Sequence, residues 1–458
     1  MVCDKTKDLR GDSRRAFLKL SMAFGAALGL DRAQVLNGIA DIGGTALAQE
    51  GKAATKKSIH LIAGNGGFAW FTLLWPHREI ATSNNQNVSY HRLGQTQPGD
   101  TDEPSVVGPD TPFVGMGRSK QVSILPAGRN QTHTQNPGTV TAVAMNRTMM
   151  ASVAAMQQVN ASLVPVIGIE PVSFGTAPGA PAITTVGDPG GMVELFNSAA
   201  SQFALLAEQD ARLFEATYKT QLNLLKAANR QTFYKSLDLG RSASNFLGQN
   251  LREKLAPTQD DLARYQINGN TENKMRRIAQ TFITGAKAFK LGLTQSIIVQ
   301  VMSDDPHGAF GNMARLNETA RLLKLYFEKL NEDLDMVNPE SGVKYNEDLV
   351  ITVNGDTPKE PRNRNNWPDG TSNNSNWMYV LGNGRLRTGE FMYYPMQGNA
   401  VGSNPVTGKI DNGRDTASCT AASNAAVLYA ISGDMRRVRD FYQGDEGIDG
   451  YIRPNLDG

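Results

Sequence analysis

The chain has 458 residues, 40% of them hydrophobic, so it is long enough to bury one large core or two modest ones. Its 46 Lys and Arg residues nearly balance 44 Asp and Glu residues, and a formal charge of +2 gives no strong field for nucleic acid or an anionic membrane surface. Two Cys residues are too few for a disulfide framework or a cysteine-rich metal site. Function must therefore come from local sites, and nucleic acid is not an expected partner.

The first 48 residues have the layout of an export signal. A charged start is followed by a short apolar stretch, Leu20–Leu30, and by Ala46-Leu47-Ala48, which predicts cleavage after Ala48. The run from Ser13 to Lys19 resembles the twin-arginine export motif of bacteria. The residues that carry this resemblance are Arg14, Arg15, Phe17 and Leu18.

This leader predicts where the protein works. The resemblance implies that the twin-arginine translocase is a partner during export, that the chain folds before it is exported, and that the product is periplasmic or otherwise part of the bacterial envelope. The 11-residue apolar stretch is too short to span a bilayer, which takes about 20 residues. No later stretch reaches that length, so we expect no membrane span after cleavage; a retained leader is the alternative.

The mature chain, residues 49–458, alternates short β-rich runs with helical patterns. This order predicts an α/β fold with a mainly parallel sheet covered on both faces by helices. The predicted strands are Ser58–Ala63, Leu163–Ile169, Ser296–Met302, Asp348–Val353 and Trp377–Leu381. The predicted helices are Thr139–Asn160, Met192–Ser236, Met313–Leu334 and Thr416–Ile431.

Two polar stretches, Ser83–Gly138 and Pro358–Asn376, are too long to be simple connections and are expected to carry a site. Residues from about 190 to 290 form a mostly helical, charged block. Two readings of this block stay open, because no Pro/Gly-rich linker marks its edges: a helical insertion that caps the sheet, or helices that simply flank it.

Asp305 and His307 are the most informative candidates for chemistry. They follow the β-rich run that ends at Met302, and open α/β sheets bind ligands just past the carboxyl ends of their strands. Carboxylate oxygen and imidazole nitrogen are ordinary ligands of zinc and similar cations, so the pair predicts a metal site. The alternative is a turn in which the Asp caps the helix that begins near Asn312.

Asp356 follows the next β-rich run, in Asn354-Gly355-Asp356-Thr357-Pro358, and is a third candidate metal ligand or a base. The same residues are also good turn formers, which is the alternative reading. The later segment from Trp367 to Trp377 is rich in amides and hydroxyls that could contact a polar ligand or a sugar. Two Trp residues at the ends of a loop also serve as anchors that pack it onto a sheet.

His133 precedes a predicted helix and is a candidate catalytic residue, with Thr132 and Thr134 as potential nucleophiles. Gly64-Asn65-Gly66-Gly67 predicts a Gly-rich turn at the ligand edge of the sheet, without the spacing of a dinucleotide fingerprint. The remaining histidines have no partner at a diagnostic spacing and are expected to be structural or surface residues: His60, His77 and His91.

Four elements together resemble the domain of unknown function 1501 family. They are the leader, the Gly-rich turn, the Asp305-Pro306-His307-Gly308 element, and the strand Trp377–Gly382 that follows Gly370-Thr371. That family is a twin-arginine-exported relative of sulfatases and alkaline phosphatases. The resemblance implies an alkaline-phosphatase-like α/β sandwich over most of the mature chain. In such folds, Asp and His side chains at strand ends hold divalent metals that polarise a phosphate or sulfate ester.

Carried over residue by residue, the resemblance makes Asp305 and His307 metal ligands. The chain departs from the family elsewhere: Asn354-Gly355-Asp356-Thr357 stands where the family has Ser-Glu-Phe-Gly-Arg-Thr, and Gly370-Thr371-Ser372-Asn373 stands where it has Gly-x-Asp-His. Because acidic and imidazole donors are missing there, a two-metal centre is not expected. The alternative is a single hard divalent ion such as calcium or magnesium, held by Asp305, Asp356 and an amide oxygen. Zinc is the third candidate ion for the Asp305/His307 pair.

Two functions follow from these patterns. The first is an exported envelope protein of sulfatase or alkaline-phosphatase-like fold that has lost catalysis and binds a glycan, a peptide or another envelope protein through its Asn-rich loop, Pro358–Asn376. The alternative is a divalent-metal-dependent hydrolase of phosphate or sulfate esters, with His133 or a nearby Thr at the ester. The missing donors favour the first function, and the Asp305/His307 pair supports the second.

The leader gives a direct prediction. Replacing Arg14 and Arg15 by Lys keeps the charge but removes the paired guanidinium groups that define the motif. Cell fractionation should then find the double variant in the cytoplasm and the wild type in the envelope fraction. Correct export of the variant would show that the leader does not use the twin-arginine route.

Overall fold

The computed structural model describes residues 54–117, 120–130, 133, 136–160, 162–203, 219–220, 223, 250–339, 341–356, 358–382 and 384–453. The predicted leader and its cleavage site lie outside this part of the chain, as do Thr132, Thr134 and Thr357. No helix within the described ranges combines the length and the apolar character that crossing a membrane requires.

Ten strands are found in the described residues, and eight of them form one mixed sheet. The strands are β1 (Lys57–Ala63), β2 (Val122–Ala127), β3 (Ala142–Ala144), β4 (Arg147–Thr148), β5 (Val166–Ile169), β6 (Thr184–Val186), β7 (Ser296–Val301), β8 (Leu349–Gly355), β9 (Asn376–Leu381) and β10 (Gly389–Glu390). The order across the sheet is β10-β2-β9-β8-β1-β7-β5-β6. β9 is antiparallel to both of its neighbours, and every other pairing in this sheet is parallel.

The described residues contain ten α-helices and several short 3-10 turns. The helices are α1 (Arg78–Thr82), α2 (Pro137–Val140), α3 (Met149–Gln157), α4 (Pro189–Phe203), α5 (Leu251–Leu255), α6 (Gln259–Arg264), α7 (Asn273–Lys290), α8 (Met313–Asp333), α9 (Thr420–Ser432) and α10 (Met435–Arg439). The 3-10 turns are Gly67–Leu73, Gln86–Val88, Ala309–Gly311, Ser372–Asn374 and Ala417–Cys419.

Both faces of the sheet are buried, as the near-continuous apolar strands predict. Ile297 and Val299 of β7 point into a core with α7 and α8, while Ile298 between them points into a second core with α3 and α9. Successive side chains of a strand leave opposite faces, so each central strand must be apolar on both sides. The prediction of an α/β fold with a mainly parallel sheet flanked by helices is confirmed.

The five predicted strands are all present, with ends that differ by up to three residues. The helices predicted at Met313–Leu334 and Thr416–Ile431 correspond to α8 and α9. Of the helix predicted at Met192–Ser236, the described part is α4, and most of the remainder lies outside the described residues. The described helices of the block from about 190 to 290 pack on one face of the sheet, since α4, α5 and α7 all contribute to the same core as Ile59 and Ile297.

The helix predicted at Thr139–Asn160 is wrong in its first half. The structure has the four-residue helix α2, then a β-hairpin of β3 and β4, and only then α3. Asn146 in the hairpin turn has φ of 57°, in the left-handed region that Asn tolerates better than most residues. This turn interrupts the apolar helical pattern and reverses the chain.

The polar stretch Ser83–Gly138 contains a strand that the sequence pattern did not indicate. β2 includes Pro126, and Pro within an apolar run argues against a central strand. β10 pairs only with Ser123 and Ile124 of β2, so Pro126 lies where β2 itself forms the edge of the sheet. A sheet tolerates Pro at such an edge because no ladder hydrogen bond is lost.

Glu390 in β10 makes the stability of the fold depend on pH. Its side chain is 2% exposed and Oε1 has no hydrogen-bond partner within the described part of the chain. Burial raises the pKa of Glu390 from 4.5 to about 8. Because the folded-state pKa is raised, the contribution of this group to stability is fully present below about pH 4.5 and is lost as the pH rises through about 8.

The variant Glu390→Gln stays neutral at every pH. We therefore expect the wild type to lose stability relative to this variant between pH 4.5 and pH 8, by up to about 1.4 kcal/mol per pH unit. Urea unfolding at a series of pH values measures the difference in the free energy of unfolding. A difference that does not change with pH would mean that Glu390 does not titrate in this window.

Candidate metal centre

Three parallel strands in the middle of the sheet end at one edge and bring the candidate residues together. β1 lies between β7 and β8 and is parallel to both. Asp305 and His307 follow the end of β7, and Asp356 follows the end of β8 directly. These are the positions at which open α/β sheets place their ligands.

Two more residues reach this edge from other parts of the chain. His133 follows β2, which runs in the same direction as the central strands because β9 separates it from β8 and opposes both. Asp369 precedes β9. An antiparallel strand begins at the edge where its neighbours end, so a residue just before β9 meets residues just after β7 and β8. Sequence reasoning did not single out Asp369, although this topological signal would have indicated it.

The ammonium group of Lys359 lies at the centre of the cluster. Its Nζ atom donates to Oδ1 of Asp305 at 2.5 Å and to Oδ1 of Asp369, and it lies 3.0 Å from Nε2 of His307. The Lys359 side chain has no exposed surface, whereas Asp305 and Asp369 are nearly half exposed. Burying a lone ammonium is costly, and these carboxylate contacts compensate for the lost water.

The second oxygen of each carboxylate faces His133. Its Nε2 atom lies 3.3 Å from Oδ2 of Asp369 and 4.0 Å from Oδ2 of Asp305. One ligand atom from each of these three residues lies within 4.8 Å of the other two. In each carboxylate Oδ1 contacts the ammonium and Oδ2 faces His133; Oδ2 of Asp369 also lies 3.4 Å from Nε2 of His307.

Lys359 also affects the charge state of Asp369. Partial burial acts to raise the pKa of Asp369, but the hydrogen bond and positive charge of Lys359, together with His133 and His307, outweigh it and hold the pKa below its ordinary value. The carboxylate is therefore ionised at neutral pH, which is the form that binds a cation.

Asp356 is fully buried and faces the other nitrogen of His133. Oδ1 of Asp356 accepts a hydrogen bond from the backbone N–H of Gly66 at 2.9 Å. Oδ2 lies 3.4 Å from Nδ1 of His133 and makes no hydrogen bond within the described residues. Burial raises the pKa of Asp356, against the opposing effects of Gly66 and His133. A carboxylate next to Nδ1 orients an imidazole whose Nε2 binds a metal.

The orientation of His307 is fixed by a backbone carbonyl. Nδ1 of His307 lies 2.8 Å from the carbonyl oxygen of Asn366. Since a carbonyl only accepts, Nδ1 carries the proton and donates, which leaves the lone pair of Nε2 free. That lone pair faces Lys359, and Nε2 lies 3.2 Å from Oδ1 of Asp305 and 3.4 Å from Oδ2 of Asp369.

The Gly-rich turn after β1 makes room for the cluster, as its position predicts. Gly66 has φ of 77°, and a Cβ atom there would collide with Cε of Lys359. Only Gly adopts this backbone conformation without strain. At Gly67, a Cβ atom would collide with the carbonyl of Met302 at the end of β7. Glycine is therefore required twice where β1, β7 and the Lys359 side chain approach each other.

An open groove with a volume of about 720 Å³ adjoins the cluster and shares His307 with it. Its lining includes Phe310 and the polar residues Gln86, Asn87, Ser89, Arg364 and Asn365. Phe310 packs against Trp367, with ring centroids 4.8 Å apart, and Arg364 donates to Oγ of Ser89 at 2.9 Å. The groove thus presents amide, hydroxyl and guanidinium groups to a ligand.

The structure decides between the alternative interpretations of several sequence motifs. Asn312, not Asp305, caps α8, since its side chain accepts from the backbone N–H of Arg315 at 3.0 Å. Trp367 and Trp377 are almost completely buried and anchor the loop between them, as the packing alternative predicted. His60, His77 and His91 are buried away from solvent and are structural. The helix after His133 has four residues, too few to provide the N-terminal site that the sequence suggested.

Asp304, next to the cluster in sequence, belongs to a separate contact. It accepts from Nζ of Lys274 at 2.5 Å and from Nε1 of Trp70 at 3.1 Å. Lys274 also lies over the Trp70 ring, 4.5 Å from its centroid. Asp304 and Lys274 therefore provide a matched carboxylate–ammonium pair that does not touch His133, Asp356 or Asp369 in any contact of the described residues.

Comparison of the chain with protein-family models, with curated proteins and with solved structures returns no significant match. The resemblance to the domain of unknown function 1501 family thus rests on short sequence motifs alone.

Proposed function

We propose that this chain binds one divalent metal ion through His133, Asp305 and Asp369 and uses it to hydrolyse phosphate or sulfate esters. The observation that carries the proposal is the convergence of these three side chains: one ligand atom from each lies within 4.8 Å of the others. They come from three segments far apart in the sequence, so the cluster is a product of the fold and not of a local acidic run.

The charges of the cluster support a bound cation. Asp305, Asp356 and Asp369 provide three carboxylates, and Lys359 provides one ammonium. With all three carboxylates ionised and both imidazoles neutral, a formal surplus of two negative charges is left, which one divalent ion would balance. Asp356 adds independent support, because its buried Oδ2 has no hydrogen-bond partner in the described chain and points at Nδ1 of His133.

The ligand set indicates which ions to test. One imidazole nitrogen with two carboxylate oxygens is suited to zinc or manganese, whereas calcium prefers oxygen ligands in larger number. Three protein ligands leave coordination positions open, as in catalytic metal sites. A divalent ion in such a site polarises an ester oxygen and stabilises the charge that develops on the leaving group.

The surroundings of the cluster support an ester as the substrate. His133, Asp305 and Asp369 are all exposed, so a substrate can reach the ion. The groove that shares His307 has space for the organic part of the ester. The mainly parallel sheet flanked by helices is compatible with the alkaline-phosphatase-like fold that the sequence resemblance implies. Export to the bacterial envelope by the twin-arginine translocase is part of the same proposal.

A binding protein without turnover is the second candidate. It is favoured by Lys359, which already donates to Asp305 and Asp369 and so partly satisfies the cluster without a metal. Among the described residues, no hydroxyl or thiol group is hydrogen-bonded to the cluster as a nucleophile would be. In this case the groove beside the Asn-rich loop would hold the ligand.

Metal binding is tested with a matched pair of variants. Asp369→Asn removes one ligand charge, and we expect it to weaken Zn²⁺ and Mn²⁺ binding by about a hundredfold or more. Asp304→Asn makes the same change in a carboxylate that pairs with Lys274, and should bind like the wild type. Isothermal titration calorimetry of chelator-treated protein measures both. Equal affinity in the two variants, or no binding by the wild type, would contradict the proposed site.

Hydrolysis is tested on the metal-loaded protein with 4-nitrophenyl phosphate and 4-nitrophenyl sulfate. We expect turnover of at least one ester by the wild type and by Asp304→Asn, and loss of that turnover in Asp369→Asn. Release of 4-nitrophenolate, followed by absorbance, is the measurement. Stoichiometric metal with no turnover of either ester would instead support the binding protein.

A further inference from the structure

The two carboxylates at the centre of the site each face two cation positions. The first position lies between Oδ2 of Asp305, Oδ2 of Asp369 and Nε2 of His133, and is the metal position proposed above. The second lies between Oδ1 of Asp305, Oδ1 of Asp369 and Nε2 of His307, and Nζ of Lys359 fills it. Each position has two carboxylate oxygens and one imidazole nitrogen.

This arrangement has the donor pattern of a dinuclear metal site. Two-metal sites in hydrolases hold their ions about 3.5–4 Å apart, with carboxylates between them. A metal-ligating imidazole generally donates its other N–H to a carbonyl or a carboxylate. His307 does so to the carbonyl of Asn366 at 2.8 Å, and Nδ1 of His133 faces Asp356 at 3.4 Å. Both imidazoles are therefore oriented as ligands, yet one of them faces an ammonium.

We propose that Lys359 is a built-in second cation, which takes the place of one metal ion in an otherwise dinuclear donor set and limits this site to a single divalent ion. The inference rests on the proposed metal position at His133, Asp305 and Asp369. In this role Lys359 is a positioning residue: it holds one oxygen of each bridging carboxylate and thereby turns the other oxygen toward the metal.

The charge balance agrees with this role. The ammonium of Lys359 and one divalent ion together carry three positive charges, equal to the three negative charges of Asp305, Asp356 and Asp369 when all three are ionised. A second divalent ion beside the ammonium would leave the site with a net positive charge, and like charges at such short distances repel each other strongly near a protein surface. Removal of the ammonium removes this barrier and opens the second position.

The fold also reserves the space for the Lys359 side chain. Gly66 has no Cβ to collide with Cε of Lys359, and its backbone N–H holds Asp356. The Lys359 side chain is fully buried, so an ion that entered this position would have to displace it from the protein interior. A surface lysine that met the same carboxylates by chance would be free to leave.

The test is the number of metal ions bound per chain, measured by equilibrium dialysis against Zn²⁺ or Mn²⁺ followed by elemental analysis. We expect one ion in the wild type and two in Lys359→Met, whose side chain has similar length but no charge. The matched control is Lys274→Met, which removes an ammonium from the neighbouring carboxylate Asp304 and should leave one ion bound. The double variant Lys359→Met/His307→Ala should return to one ion, because the second position loses its imidazole.

The outcomes separate this inference from the proposed function. A wild type that binds no ion would overturn both. If the wild type and a folded Lys359→Met variant each bind one ion, the proposed role of Lys359 is overturned and the metal site stands. A wild type that binds two ions would have the same consequence. Circular dichroism at the dialysis temperature establishes that each variant is folded.

A further variant leaves Lys359 in place, in case Lys359→Met does not fold. If Lys359 occupies the second position, His307 contributes no bond to the bound ion. Loss of a residue that hydrogen-bonds a metal ligand typically weakens metal affinity by at least about tenfold. His307→Ala should then change metal affinity by less than about tenfold, whereas His133→Ala should weaken it by about a hundredfold or more. Equal losses in the two variants would overturn the assignment of the two positions.

Discussion

The parallel alignment of β1 with β7 and β8 is the constraint on which the candidate site depends. It places the ends of these strands at one edge, so that Asp305, His307 and Asp356 lie together although more than forty residues separate β7 from β8. The two buried cores hold this alignment, because each strand packs apolar side chains on both faces of the sheet. The proposed ligands His133, Asp305 and Asp369 are exposed and contribute little to this packing.

The cluster is organised by electrostatics within that frame. Three carboxylates would repel each other at this edge if nothing lay between them, and the buried ammonium of Lys359 bridges two of them. The third, Asp356, is held by the backbone of Gly66 and by the proximity of His133. Each acidic group thus has a fixed partner, which is why their second oxygens point in defined directions.

The sequence predicted the site residues that follow parallel strands and missed the one that precedes an antiparallel strand. Asp305, His307 and Asp356 were identified because each follows an apolar strand, and the rule that ligands lie past strand ends applied directly. Asp369 was missed because it precedes a strand, and only the antiparallel direction of β9 brings it to the same edge. Pairing direction is set by long-range contacts, and it is not encoded in the local pattern of either strand.

The same limit explains the other differences in the fold. β2 was not predicted because it contains Pro126. The sheet accepts this Pro only because β10, more than 260 residues later in the chain, is too short to pair with it. The hairpin of β3 and β4 was read as part of a helix because its apolar residues also fit a helical period, and the deciding residue was a single Asn with positive φ. Lys359 was overlooked because a lysine in a polar loop is ordinarily a surface residue, and its burial appears only when Gly66 and the three strand ends surround it.

The two candidate functions differ in what balances the surplus negative charge of the three carboxylates: a bound metal ion in the hydrolase, and solvent in a binding protein without metal. Asp305 and Asp369 are nearly half exposed, so water and salt can screen them without any metal ion. Asp356 has no exposed side-chain surface, and one of its oxygens lacks a hydrogen bond in the described structure. A buried carboxylate that only needed to be neutral would be replaced by an amide at little cost, whereas one that orients the imidazole of a metal ligand must stay a carboxylate. The strongest structural argument for a metal ion at this edge therefore comes from Asp356, a residue that need not touch the ion.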